Sequence, residues 1–247
     1  MSSPRLLAVD TATDTVHLVL VDGPDRLVRA LPGGAQASAT LLPQVAALLA
    51  EGGLALRDLD AIGYGRGPGA FTGLRTACAI AQGLAVGAGR PMLALDTLAA
   101  LAACARRRLG AEATPAVWSA LDARMGEIYA ARWTAVPGGG WQADGAVALW
   151  SPAALAEAIA ACPAPIAGNA LLAQAEVLQP LAAALGLATD AQAVPDGLAL
   201  AELARAAWAA GATLDPAVAL PLYVRDKVAQ TTAEREAAAR AARGEAA

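Results

Sequence analysis

Histidine and lysine are almost missing from this chain of 247 residues: His17 is the only histidine and Lys227 the only lysine. A histidine-rich zinc or iron centre therefore cannot be assembled from it. A Walker A phosphate loop is also excluded, because that motif needs a lysine after its last glycine. Cysteines number three, Cys78, Cys104 and Cys162, too widely separated for a close-spaced metal pair or a disulfide framework, so reduced, buried thiols are expected. The hydrophobic fraction is 57% and the mean hydropathy +0.46, yet no apolar run approaches the ~18 residues of a membrane span. The high value reflects a heavy load of alanine. The start, MSSPRLLAVD, runs directly into a strand pattern without the charged region, apolar core and cleavage site of a signal peptide, and a cytoplasmic protein is expected. The net charge of −4, from 18 basic and 22 acidic residues, argues against a surface that binds nucleic acid by charge alone. The one dense basic run, Arg106 to Arg108, reads as a solvated helix end.

What is there is concentrated in Gly65 to Arg75, GRGPGAFTGLR, where four glycines and a proline separate two apolar segments. Leu59 to Tyr64 predicts a short buried strand. Thr72 to Ala88, with Leu74, Ala77, Cys78, Ala81, Leu84 and Ala85 at helical spacing, predicts a helix with Thr72 at its N-cap. A strand-to-helix turn of this kind presents unpaired N–H groups that can receive an anion, with Gly67, Gly69 and Gly73 admitting a ligand to the backbone and Arg75 adding charge. The same residues also suit a tight packing turn, and local chemistry leaves both readings open.

Several stretches together carry a family resemblance. GRGPGAFTGLR followed by TACAIAQGLA, LLAVDTAT near the start, LLPQVAALLAE, LDARMGEIYAARW and PLYVRD resemble the TsaB (YeaZ) family, the dimerisation subunit of the bacterial complex that adds a threonylcarbamoyl group to a tRNA adenosine. The match is spread along most of the chain. The glycine-rich and LDARMGEIY stretches are its specific parts, whereas DTAT is shared with the wider actin-like ATPase superfamily. The resemblance implies an α/β, actin-like (ribonuclease H-like) fold of two related subdomains, each a mixed sheet flanked by helices. It implies that Asp10, Thr11 and Thr13, together with Gly67, Gly69, Thr72 and Gly73, face nucleotide phosphates in a weak or vestigial way. Asp10 to Asp14 also suits an Asx or hydroxyl-stabilised turn with no ligand. It further implies that two helices pair with the same helices of a partner, through Leu41, Leu42, Val45, Leu74, Arg75 and Cys78; those helices also suit packing within their own unit. The partners implied are the catalytic paralogue TsaD, a TsaE-type ATPase in the larger complex, a second copy of this chain when it is alone, and tRNA only through the complex. No cofactor is implied for this chain alone, with ATP or ADP in the complex. One departure is Ala37, at a position where the resemblance implies a histidine in many relatives.

Read in order, the chain predicts strands at Leu6 to Asp10, Thr15 to Asp22 and Arg26 to Leu31, a helix over Ser38 to Ala50, then the strand and helix around the glycine-rich turn. Pro91 to Leu95 is a strand and Thr97 to Leu109 a helix capped by Asp96 or Thr97. This first unit spans 1–110. A second, 111–226, opens with strands at Ala116 to Leu121, Glu127 to Thr134 and Trp141 to Leu149, with Asp122 and Arg124 paired at the intervening turn. Ser151 caps a helix reaching Ala161 with Pro152 in its first turn, Pro165 to Gly168 is a strand, and Leu171 to Leu185 is helical but interrupted at Pro180. A last helix, 198–210, is expected to return toward the first unit, and 227–247 forms an alanine-rich, charged tail. A duplicated and eroded half fits this order. His17 is expected to sit satisfied within its strand.

Few groups are clustered for catalysis. Asp10, Asp96, Asp122 and Glu127 could hold Mg²⁺ with a nucleotide, but carboxylates at strand ends more often cap and turn. Three functions follow: a non-catalytic subunit organising TsaD, an independent actin-like ATPase or kinase, and, least favoured, a metal-dependent glycoprotease, a label attached to relatives.

Overall fold

The computed structural model describes residues 3–34, 37–110, 114–137 and 139–225, and the expected tail at 227–247 lies outside the described residues. The chain opens with β1 (Arg5–Asp10), β2 (Thr15–Asp22) and β3 (Asp25–Pro32), then α1 (Ala37–Glu51), β4 (Ala61–Gly67), α2 (Phe71–Ala88), β5 (Met92–Asp96) and α3 (Thr97–Leu109). Short links make β1, β2 and β3 an antiparallel meander, while the helical crossovers α1 and α2 return β4 and β5 parallel to β1. The sheet order is β3-β2-β1-β4-β5. β1 and β2 read as unbroken apolar runs because helices cover both faces; β3, at the edge, alternates with solvent.

The remaining elements are β6 (Ala116–Arg124), β7 (Glu127–Val136), β8 (Gly140–Ala143), β9 (Ala148–Trp150), α4 (Pro152–Ala161), β10 (Ile166–Ala167), α5 (Ala170–Ala173), α6 (Ala175–Ala184), β11 (Thr189–Asp190) and α7 (Gly197–Ala209). Their sheet runs β11-β10-β6-β7-β8, with β9 also paired to β7. Numbered within each half, both sheets have the order third, second, first, fourth, fifth, with the same antiparallel and parallel pairings. Two expectations need correction. The third strand of the second half is split into β8 and β9 by a bend at Gly145, whose φ of 99° few other residues adopt. The helical break lies at Gln174, six residues before Pro180, and α6 continues through Pro180.

The layers explain the alanine content. α1 and α2 cover one face of the first sheet, α4 and α6 cover the outer face of the second, and α3 and α7 lie between the sheets. From Thr97 to Cys104 every residue of α3 is buried, and small side chains let it approach sheets on both sides. α7 packs on β1, β2, β3 and β5. At its start a Cβ on Gly197 would overlap Val28. The Arg106–Arg108 run is more than a solvated helix end: Arg107 Nη2 donates to both oxygens of Asp196 at 2.6 and 2.8 Å, and Arg108 pairs with Asp190. These bonds tie the end of α3 to the segment leading into α7.

His17 is 5% exposed, and among the described residues neither ring nitrogen finds a hydrogen-bond partner, so its strand position is buried rather than satisfied. Burial lowers its pKa, with Asp196 pulling the other way. Cys78 and Cys104 are buried, and burial pushes the Cys104 thiol up to about 11. Cys162 is exposed, contrary to expectation, because it caps the outer end of α4. Among the described residues no helix is long and apolar enough to cross a membrane.

Candidate functional site

Asp10 ends β1 at the centre of the first sheet and is 1% exposed. Its Oδ1 accepts the Ala12 N–H at 2.7 Å and its Oδ2 accepts the Thr97 hydroxyl at 2.9 Å. The carboxyl lies against the α-carbon of Gly65, where a Cβ would collide with it. Burial raises the Asp10 pKa; the Ala12 and Thr97 bonds oppose the rise and the nearby Asp96 carboxylate adds to it.

The glycine-rich stretch closes directly over the turn that follows. The Thr11 hydroxyl donates to Gly73 O at 2.5 Å, and the Ala70 N–H donates to Ala12 O at 2.8 Å. A Cβ on Gly73 would overlap the Thr11 carbonyl oxygen, and one on Gly69 would overlap Ala12. The close backbone approach that these glycines permit is therefore made to the chain's own Thr11–Ala12 segment. Gly67 is buried with φ 110°, pressed between Leu74 and the Leu222 carbonyl, and its bond to Pro68 is cis. Thr13 is half-buried and its hydroxyl donates to Thr15 O at 3.1 Å, a turn-stabilising contact. Thr72 is exposed and is not the helix cap. α2 begins one residue earlier, with Ala70 in the capping position and no side-chain cap. Asp96 does occupy the capping position of α3 but makes no capping bond, because Arg66 Nε and Nη2 hold its Oδ2 at 3.1 and 2.7 Å. Burial raises the Asp96 pKa and Arg66 opposes the rise.

A strap at 219–225 completes the site, and no periodicity in the sequence announced it, since its ties run mostly between side chains and backbone. The Tyr64 hydroxyl donates to Leu220 O at 2.9 Å and the Leu222 N–H to Arg66 O at 2.7 Å. Gln82 Nε2 donates to Ala219 O at 3.1 Å. Further along, Arg75 Nε donates to the Tyr223 hydroxyl at 3.1 Å while the Arg75 guanidinium lies 3.9 Å from the Phe71 ring centroid. Arg225 reaches the β6–β7 turn, donating to Glu127 Oε2 at 2.7 Å and to Ala123 O at 3.0 Å. That turn holds the Asp122–Arg124 ion pair, at 3.2 Å, with Arg124 and Met125 in the left-handed region. The strap so connects the glycine-rich turn of one half with the first hairpin of the other.

The six residues expected at a partner interface separate into two groups. Leu41, Val45, Leu74 and Cys78 are buried inside this chain, against the first sheet and the strap, and are not available to a partner; this corrects the expectation. The helical spacing located an apolar face but not what covers it. Leu42 and Arg75 are on the outside. With Phe71, Thr72, Thr76 and Ile80 they line an open groove of about 440 Å³ between α1 and α2. Leu42 is 49% exposed, Phe71 39% and, farther along α2, Val86 69%. Among the described residues no group of three or more His, Cys, Asp and Glu is placed to hold a metal ion.

Two sheets that each begin with a three-stranded meander, continue with parallel strands in the same order and carry helices on their faces define the actin-like, ribonuclease H-like class. Within that class the relatives are specific. A family model described as "TsaD: tRNA N6-adenosine threonylcarbamoyltransferase" matches residues 34–149. The solved structure of YeaZ from Pseudomonas aeruginosa is 36% identical, with a TM-score of 0.78 over 90% of this chain and 100% of that one. The Escherichia coli "tRNA threonylcarbamoyladenosine biosynthesis protein TsaB" is 40% identical over 152 residues, 60% of this chain and 63% of that protein. The Haemophilus influenzae protein of the same name is 41% identical over 132 residues, 52% of this chain and 53% of that protein. The matched stretch thus spans less than two-thirds of the length of either curated relative. The chain belongs to the YeaZ (TsaB) family.

Proposed function

We propose that this chain is a non-catalytic subunit of the machinery that makes N6-threonylcarbamoyladenosine in tRNA, docking through α1 and α2 on a TsaD-type paralogue and stabilising that partner's active state. The observation that carries this reading is the outward face of those helices, where Leu42 and Phe71 stay exposed at the groove between them and Val86 stays exposed farther along α2. The turn around Asp10, Thr11, Thr13 and the glycines Gly67, Gly69 and Gly73 supports the non-catalytic part, because its hydrogen bonds and close contacts are spent within the chain. In this proposal residues 1–110 form the docking unit and 111–226 a supporting one. The chain pairs with itself when alone and works in the cytoplasm. A TsaE-type ATPase, ATP or ADP, and tRNA join only through the complex.

The test is reconstitution with the cognate TsaD-type protein, the remaining components, ATP, threonine, bicarbonate and tRNA. Modified adenosine should depend on this chain, and Leu42→Glu should abolish pairing while leaving the fold intact. Modification that proceeds equally without the chain, or ATP hydrolysis by the chain alone that is lost in Asp10→Ala, would replace this reading with an independent ATPase.

A further inference from the structure

The turn between β6 and β7 breaks a local rule. Arg124 pairs with Glu127 across the hairpin, so Met125 and Gly126 form a two-residue loop, and both have positive φ, 56° and 76°. Such loops favour asparagine, aspartate or glycine at the first position, because other side chains crowd the backbone there. Methionine does not suit this turn. Nor does the core explain it, since Met125 is 62% exposed. The preceding Arg124, also exposed, has φ 65° and brings the left-handed run to three residues. Non-glycine residues in that region persist only where their surroundings hold them, and they gather at binding sites. Here Arg225 does the holding: its Nη1 donates to Met125 Sδ at 3.0 Å and its Nη2 to the Ala123 carbonyl oxygen at 3.0 Å. The methionine is fixed in place while it stays exposed.

Two residues back along the strap, a span of at most ~7 Å, Tyr223 is exposed and packs against Phe71 with ring centroids 5.5 Å apart. Arg75 lies over Phe71 and donates to the Tyr223 hydroxyl, and among the described residues it pairs with no carboxylate. The acids of the neighbouring hairpin are already taken, Asp122 by Arg124 and Glu127 by Arg225. An exposed surface thus runs from Leu42 and Phe71 through Arg75 and Tyr223 to Met125, crossing from the first half to the second. It carries an unbalanced positive charge on a chain whose net charge is −4. Methionine, arginine and aromatic rings are the residues that interfaces gather. We propose, on the docking function stated above, that the second half docks as well: the TsaD-type partner's surface extends past the α1–α2 groove, sets a carboxylate against Arg75 and seats Met125 in an apolar recess. A second copy of this chain fits less well, because a two-fold axis through the patch would set Arg75 against the same positive surface, whose acids are already paired.

Pairing of the full chain with the cognate TsaD-type protein would be measured by titration calorimetry, and self-association of the chain alone by sedimentation. Asparagine suits the turn, so Met125→Asn should keep or raise thermal stability while weakening pairing about fivefold or more. Met125→Leu, which keeps the apolar bulk, should pair within about twofold of the unaltered chain. Arg75→Gln should weaken pairing about tenfold and remove most of its dependence on salt between about 50 and 500 mM. Leu42→Glu separates this extension from the docking function itself. If Leu42→Glu abolishes pairing while Met125→Asn pairs as tightly as the unaltered chain, the docking function stands and the extension falls. Pairing unaffected by Leu42→Glu overturns both. The extension also falls if Arg75→Gln leaves the salt dependence unchanged. It falls equally if the Met125 and Arg75 variants weaken only self-association, which makes a second copy the occupant, or only tRNA binding by the assembled complex, which makes the occupant RNA.

Discussion

The two halves of this molecule share a strand order and differ in what they do with it. In the first, the turn after the leading strand is buried beneath the glycine-rich stretch, and an 18-residue helix, α2, follows. In the second, the equivalent turn at Asp122–Gly126 is an exposed hairpin tip, β10 has shrunk to two residues, and the helix after it, α5, to four. A trace of the common design remains: Gly168, after β10, has φ 114° and abuts the Ala120 carbonyl, much as Gly73 abuts Thr11. The Asn169 side chain accepts the Asp122 N–H at 2.8 Å, a counterpart of the Thr11–Gly73 tie. One half invests its glycines in a rigid junction and a long outward helix. The other keeps the topology with smaller parts and relies on the Arg225 tether.

The largest way to break this contrast is at the junction. Gly73→Ala places a Cβ on the Thr11 carbonyl oxygen, where only backbone can yield, and should cost about 3 kcal/mol or more in denaturant unfolding. In the exposed hairpin tip of the other half, by contrast, Gly126→Ala meets open space and should cost only the left-handed strain of about 1–2 kcal/mol. Equal losses at the two positions would erase the distinction. Comparable with the Gly126 change, Arg225→Ala removes the bonds to Glu127 and Ala123 and should cost about 1–2 kcal/mol. Amide exchange should then quicken at the 122–128 hairpin and not at Asp10–Thr13.

A smaller effect concerns the layer that both halves share. His17 has a folded pKa below its ordinary 6.5 because its charged form is disfavoured by burial. The unfolded chain therefore binds the proton more readily, and stability should fall as pH drops below about 6.5, levelling off beneath the lowered folded value. His17→Leu should flatten that slope between pH 7 and 5, and an unchanged slope would place its origin elsewhere. Smallest and opposite in sign, Gly83→Ala on the exposed face of α2, where a Cβ meets nothing, should stabilise the isolated chain by about 0.5–1 kcal/mol. The same substitution tests that exposed stretch of α2 in the reconstituted complex, where an added methyl has a neighbour to meet only if it is docked.

Much of this was legible in the linear chain. The strand and helix order, the Ser151 cap and the turn pair Asp122–Arg124 follow from local rules: alternation, helical spacing, and residues that stabilise turns. α3 matched at both ends because an acidic residue precedes it and a glycine follows it. Errors arose where the chain's local signal and its surroundings disagree. Pro180 reads as a breaker, yet α6 passes through it; the split between β8 and β9 hides behind a single glycine. Alanine blurred other boundaries, since it suits both the buried and the exposed side of a helix.

By itself, then, the amino-acid sequence determined the elements, their order, the family and the presence of a glycine-dependent turn, because each rests on neighbours within a few residues or on motifs written contiguously. Tertiary structure decided what those features face. It put the Thr11 and Ala12 carbonyls, sixty residues away in the chain, against the glycines, buried Leu41 and Leu74 while leaving Leu42 and Phe71 outside, and drew Tyr223 and Arg225 across both halves. Periodicity tells which residues share a face. Only the packing of distant segments tells whether that face is covered, and by what.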